Sequence, residues 1–313
     1  MITQARMRKM KNKFFDIFSD GFKRGQFIRL KENQVLQLYL GKDSNGRFSL
    51  EFRGHFTPTR LLGSAVIAVG QTKSNRALSL CFSLENPDLL EYFCTFCEDL
   101  VNSTIDFVDD NLAYKTLCAR YSSWKKLFKP NQARLTENEV LGLIGELLYL
   151  RDIMFNSYGF DIALDSWTGS EYTHKDFSLD ETWHEIKTIS VGKRDVRISS
   201  LEQLDSDLEG TLAVYELERM SPSFHGIKLN AIVTDILSLL PHNIQRELFL
   251  NKLSQFGYDF STEYDNFVFS FIALSKYKVD NTFPRLTRSN IPNAIQRVQY
   301  DITLTELDPY RIL

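Results

Sequence analysis

The run from Asp176 to Lys187 is short, polar at its middle and rich in β-formers on both sides, and it folds most simply as a tight hairpin. Phe177–Leu179 and Trp183–Lys187 suit strands, and Asp180-Glu181 suits the turn between them. A turn centred there pairs Phe177 with His184 and sets Asp176 opposite Glu185. Directly opposed residues share a face and hold their Cβ atoms roughly 4.5–5.5 Å apart. Side chains alternate along a strand, so Lys187 joins Glu185 on that face while Ile186 points away into a core. Two carboxylates and an ammonium therefore converge. Two carboxylates that close repel each other unless a cation lies between them, and a divalent metal is the common answer. The competing reading is a solvated hairpin whose charges happen to line one face.

The helix upstream favours a site. Thr136-Glu-Asn-Glu139 has the form of a capping box and opens an apolar helical run. Val140, Leu141, Leu143, Ile144, Leu147, Leu148 and Leu150 share one broad arc, and Glu146 sits at its edge between Leu143 and Leu150. A carboxylate at the margin of a strongly apolar face needs a partner. Glu139 lies on the same stripe two turns earlier and is the weaker candidate. The plainer alternative makes Glu146 a boundary residue reaching to solvent.

Gly-Glu-Leu-Leu-Tyr-Leu150 on a helix, then Trp167-Thr-Gly169, His174-Lys-Asp176-Phe and Glu185-Ile-Lys187, resembles the PD-(D/E)XK nuclease superfamily. More narrowly, the chain resembles an uncharacterised bacterial family assigned to that superfamily and associated with restriction-like defence operons. The likeness extends over roughly residues 60–313, through Arg197–Leu204 and Phe283–Pro292. One departure is Lys175, where the motif has proline; proline contributes no ligand there.

The resemblance implies roles. Asp176, Glu185 and the backbone carbonyl of Ile186 would bind Mg²⁺, with Mn²⁺ as a substitute, and Glu146 would complete the metal site. Hard oxygen donors are what that ion prefers. Lys187 would orient or deprotonate the attacking water and offset transition-state charge. Gln203 and His174 would support the site. Asp165 is a substitute carboxylate expected in the loop entering the hairpin. Lys193, Arg194 and Arg197, with Arg285 and Arg288 near the C-terminus, are expected to neutralise phosphates without reading bases; the alternative for all five is ordinary solvation. Ser199 or Ser200 is expected to cap the helix that carries Glu202 and Gln203.

A chain of 313 residues can hold two domains and a substantial core. A net charge of −3 excludes an all-over basic coat and still permits a local basic surface. No apolar run approaches about 18 residues, so no membrane span is expected. The basic stretch at the N-terminus lacks an apolar segment after it, unlike a secretory signal, and a cytoplasmic protein is expected. Cys94-Thr-Phe-Cys97 has zinc-like spacing, yet both cysteines fall on the apolar stripe of a helix starting at Asn86-Pro87, where cysteine behaves as a small hydrophobe.

Strands are expected over 26–30, 34–40, 47–52, 65–69 and 77–84, with turns at Asn45-Gly46 and Lys73-Ser74-Asn75, then helices over 87–108 and 111–128. From 136 the expected order is helix, strand, hairpin, strand, helix and an apolar strand over 212–218, followed by helices near 232–240 and after Pro241 and strands over 266–277 and 297–304. The fold class is α/β. A restriction-endonuclease-like mixed-sheet core at 136–240 is preceded by a β-rich accessory domain at 1–86 and a helical connector at 87–135, and followed by a C-terminal extension at 241–313. The expected activity is Mg-dependent cleavage of DNA in restriction or phage defence. Two alternatives stay open: a DNA-binding or assembly subunit that keeps the fold without catalysis, and an RNA nuclease. No Walker-type loop is present, so an ATP-driven step would need a separate ATPase subunit. A methyltransferase subunit encoded nearby and a homodimer are further expected partners.

Overall fold

A computed structural model describes residues 12–31, 35–74, 77–128, 134–168 and 175–313. The chain forms two compact units, 1–131 and 132–313. Most expected elements are present, with shifted ends.

The first unit is a five-stranded antiparallel sheet with helices on one face. Helix α1 (Lys13–Ser19) begins at Asn12, whose side chain accepts from the Phe14 amide at 2.9 Å. Strands β1 (Phe27–Arg29), β2 (Gln37–Lys42), β3 (Phe48–Gly54), β4 (Ile67–Lys73) and β5 (Leu78–Leu84) pair in the order β1-β2-β3-β5-β4. Alternation sorts the faces: Leu38, Leu40, Leu50, Phe52, Leu80 and Phe82 are buried, while Tyr39, Glu51 and Arg53 are partly exposed. The Asn45-Gly46 turn closes with Gly46 at φ +86°, a conformation that glycine adopts without strain. The expected turn at Lys73-Ser74-Asn75 runs into residues outside those described.

Helices α2 (Leu90–Asn102) and α3 (Asp110–Leu127) belong to this same unit, so the stretch expected as a connector helps build its core. Asp109 caps α3, accepting from the Leu112 amide at 2.6 Å. Asp99 ties α2 to α3: Arg120 Nε and Nη2 meet its carboxylate at 2.7 and 3.0 Å, and Trp124 Nε1 donates to it at 2.7 Å. Cys94 and Cys97 are fully buried on α2, and burial pushes both thiols well above their ordinary range. They act as core hydrophobes.

The second unit carries the hairpin. Helix α4 (Glu137–Tyr149) opens with the expected capping box, Thr136 N donating to Glu139 Oε2 at 2.7 Å. It runs through a π-helical turn at Leu150–Met154 into α5 (Phe155–Ser166), which bends at Gly159, φ +77°. Here the structure corrects the expected element order: a helix follows α4 where a strand was expected, and among the described residues between it and the hairpin Trp167 alone makes a β-bridge, to Phe177. Buried Phe155, Ala163 and Leu164 give the segment its helical packing face, part of it against a later helix.

Strands β6 (Phe177–Ser178), β7 (Trp183–Ser190), β9 (Gly210–Met220) and β10 (Val268–Val279) form a mixed sheet in the order β10-β9-β7-β6, with β7 and β9 parallel. Between them in the chain, β8 (Asp195–Ile198) pairs with β11 (Tyr300–Thr303). Helices α6 (Leu229–Leu239) and α7 (Asn243–Gln255) complete the unit. The two faces of β7 have different jobs. Its even residues meet α4: a Cβ on Gly145 would collide with Thr188 Oγ1 and lie 3.7 Å from Ile186 Cγ2. Trp183 and Ile189, on the odd face, enter a core shared with Val196, Ile198, Leu212 and Ile302. Glu185 and Lys187 stand between those two hydrophobes on the same face.

The helix expected after β8 is a single 3-10 turn, Leu201–Gln203. Ser200 stands before it but its side chain makes no cap bond.

Candidate active site

The hairpin folds in the register that sets Asp176 toward Glu185. Phe177 pairs with His184 and Ser178 with Trp183, and the Leu179 amide donates to the Thr182 carbonyl at 2.9 Å around the Asp180-Glu181 turn. Asp176 lies one step past the end of β6, in a bend. Its Oδ2 accepts from the Ile186 amide at 2.6 Å, taking the place of the next ladder bond. A strand residue's N–H and C=O leave on the same side, so the Ile186 carbonyl also faces the edge where β6 has ended.

Glu185 is the buried centre, only 1 % exposed. Lys187 Nζ forms an ion pair with its Oε1 at 2.8 Å, but neither Oε is met in hydrogen-bond geometry. Burial, then the nearby Asp176 carboxylate, pushes Glu185 up to about 8, against the pull of Lys187. Burial also raises Asp176, opposed by Lys187 and the Ile186 amide. Glu146, from α4, lies within electrostatic reach of Asp176, Glu185 and Lys187. Burial and then Asp176 raise its carboxyl well above the ordinary range, while Trp167 Nε1, donating to Oε2 at 2.8 Å, holds it down. Burial works against the charge of Lys187, yet Glu185 and Asp176 prevail and keep the ammonium protonated.

Four of the expected site residues are thus brought together: Glu146, Asp176, Glu185 and Lys187. Among the described residues no three His, Cys, Asp or Glu side chains stand close enough to hold a metal by themselves. The donor set still fits Mg²⁺, which is commonly held by one or two carboxylates with waters completing the octahedron. The orphaned oxygens of a buried Glu185 are an observation that such an ion would explain.

The other expected residues are more dispersed. Lys193, Arg194 and Arg197 are exposed around the start of β8; Arg197 reaches Asp301 at 3.4 Å, while Lys193 and Arg194 have no ion pair among the described residues. Arg285 and Arg288 spend their guanidinium groups on the protein itself. Arg285 donates to the carbonyls of Leu204 and Ser206, and Arg288 donates to those of Ile295 and Gln296 at 2.9 and 3.0 Å. Gln203 turns its Oε1 to the Ser199 amide at 2.7 Å, a local bond within its own turn. His174 lies outside the described residues. Asp165 belongs to the last turn of α5 rather than to a loop, and is exposed. His184, on the opposite face from Glu185, meets the Tyr149 hydroxyl at 3.1 Å.

Two residues have roles that the sequence reading did not give them. Lys175 threads its Nζ among the carbonyls of Glu202 and Asp205, at 2.6 and 3.0 Å, and lies 4.1 Å from the centre of the Trp183 ring. It ties the residue before Asp176 to the turn after β8. Trp167 binds Glu146. A buried indole needs an acceptor, and that was the available signal.

A mixed sheet whose hairpin gathers acidic residues and one lysine, with a further glutamate from a packed helix, defines a PD-(D/E)XK nuclease-like fold. The chain belongs to the family described as "Putative PD-(D/E)XK family member (DUF4420)", which matches residues 7–305. Members of that superfamily are usually nucleases and typically use divalent metals. No curated protein and no solved structure matches the chain. Among the described residues no helix is long and apolar enough to cross a membrane.

Proposed function

We propose that the chain is a metal-dependent endonuclease that hydrolyses DNA phosphodiester bonds, in the cytoplasm and in restriction or phage defence. The observation that carries the reading is Glu185: a fully buried carboxylate with no hydrogen-bond partner, gathered with Asp176, Glu146 and a single ammonium. Burying Glu185 beside two half-buried carboxylates and one lysine costs stability that a structural role would not demand. A site does.

Asp176, Glu185, the Ile186 carbonyl and Glu146 would hold Mg²⁺, or Mn²⁺ in its place. When bound, the ion supplies Lewis-acid stabilisation of the attacking and leaving oxygens of a phosphodiester. Lys187, kept charged by Glu185 and Asp176, orients the water and offsets charge building on the phosphoryl oxygens; its protonated state suits a donor better than a base. Asp176 fixes the end of the hairpin through the Ile186 amide and so sets the spacing between the two acidic residues. Lys193, Arg194 and Arg197 would take the phosphate backbone. An ATPase or methyltransferase partner and a homodimer belong to this reading as proposals.

The test is a cleavage panel of plasmid, linear, methylated and single-stranded DNA beside structured RNA, in Mg²⁺ and in EDTA, alone and with neighbouring gene products. DNA cleavage that needs the metal, and is lost in Glu185→Ala and Lys187→Ala, supports the proposal. Cleavage of RNA alone would redirect the substrate. Binding without cleavage under every condition would make the chain a scaffold, and cleavage that persists in EDTA would remove the metal from the mechanism.

A further inference from the structure

We infer that Trp167 is a positioning residue for the site proposed above: it fixes which oxygen of Glu146 faces the acidic pair. Three contacts make the indole a rigid donor. Its backbone is stitched to the hairpin, Trp167 bridging Phe177 and the Thr168 amide donating to the Asp176 carbonyl at 2.9 Å. Its carbonyl accepts from Lys252 Nζ at 2.5 Å, an ammonium that α7 buries to 4 % exposure. Its ring, fully buried, stacks on Phe256 with centroids 4.9 Å apart and leans on Phe249 at 5.9 Å.

An indole has one donor and no acceptor. Trp167 commits that donor to Glu146 Oε2 at 2.8 Å, so Oε1 is the oxygen left for a cation or its water. The carboxylate cannot rotate without breaking the bond, and the indole cannot follow it without leaving its stack. The same residue also touches the hairpin that presents Asp176. Trp167 therefore holds a helix carboxylate and a hairpin carboxylate in one frame, although Glu146 and Asp176 lie on separate elements. Outer partners of this kind typically contribute about 10–100-fold to metal affinity or activity.

The inference rests on the metal-site reading, and the experiment separates the two. Incorporating β-(3-benzothienyl)alanine at position 167 keeps the shape and stacking of the ring and deletes only the N–H; Trp167→Phe is the genetically simpler companion. Mg²⁺ binding is measured by calorimetry without nucleic acid, beside circular dichroism of each variant and steady-state cleavage. The expected result is a native fold, a Mg²⁺ Kd weakened about tenfold or more, and an unchanged KM for DNA. Mg²⁺ should also shift tryptophan emission in the wild type and lose most of that effect in both variants. An unchanged Kd in the benzothienyl protein would overturn the inference while leaving the metal site standing. Absence of Mg²⁺ binding in the wild type would overturn both.

Discussion

Gly145 permits α4 to lie on β7, and replacing it tests how closely Glu146 depends on that contact. In Gly145→Ala the new Cβ falls on Thr188 Oγ1, with Thr188 Cβ at 3.3 Å. Thr188 is β-branched and stiff at χ1, so it cannot swing aside freely. Overpacking of this kind costs roughly 1–3 kcal/mol, against about 1 kcal/mol gained from alanine's helix propensity. The single variant should therefore be neutral to about 2 kcal/mol less stable. Thr188→Ala removes a buried hydroxyl that has no hydrogen-bond partner, so it should be close to neutral alone. The double variant places a methyl where the hydroxyl was and keeps the helix gain. It should be at least as stable as the wild type.

The coupling between the two changes is then about 1–3 kcal/mol, well above the scatter of independent sites. Urea unfolding of the four proteins, in EDTA, reads it directly. Cleavage should follow the helix: Gly145→Ala shifts the neighbouring Glu146 and loses turnover, and adding Thr188→Ala restores most of it. Additive free energies, or a double variant as unstable as Gly145→Ala, would refute the close approach of α4 to β7.

Arg120→Met should destabilise the protein by about 3–5 kcal/mol in urea unfolding, because it strands the buried Asp99 carboxylate without its counter-charge. In EDTA, a Glu185 carboxyl raised by burial makes the folded state hold a proton that the unfolded chain has released. Its contribution is intact below about 4.5 and is lost as pH rises toward about 8, so wild-type Tm should fall across that range, and Glu185→Gln should flatten the profile. Mg²⁺ should restore Tm at pH 8 in the wild type far more than in Glu185→Gln. Arg285→Ala should lower stability by about 1.5–3 kcal/mol through its lost carbonyl bonds and leave the salt dependence of DNA binding unchanged. Removing Lys193, Arg194 and Arg197 should flatten that salt dependence, as seen in binding titrations at several ionic strengths.

The legible parts of this chain are those whose cause is local. The hairpin register followed from a two-residue polar turn and a period of two, and the start of α4 followed from four residues of capping box. Ranges for the strands of the first unit were also readable from alternation. What escaped depends on partners far away in sequence. The segment 155–166 is helical because its apolar face packs in part on α7, about ninety residues on, and its glycine bends the helix without ending it. The carbonyl bonds of Arg285 and Arg288 were not legible either, because a guanidinium that serves carbonyls is indistinguishable in sequence from one that serves phosphates. Lys175 reads in sequence only as a harmless departure from the motif's proline, yet it anchors the hairpin through carbonyls some thirty residues away. Composition gives no sign of such bonds.

Two buried charge clusters in the same chain show how structure can separate scaffolding from chemistry. Asp99 has an arginine fork and an indole donor, so its charge is answered and its role is to join α2 to α3. Glu185, just as buried, has one ammonium shared with two further carboxylates, and its oxygens remain without hydrogen bonds. Low dielectric magnifies both cases, rewarding the satisfied network and penalising the unsatisfied one. The two clusters should therefore respond with opposite signs when neutralised without metal: Asp99→Asn loosens the fold, and Glu185→Gln tightens it. A fold does not keep a buried carboxyl with so few partners for stability. It keeps one where a ligand is to complete the set, and in this chain that place is the end of a hairpin beside Lys187.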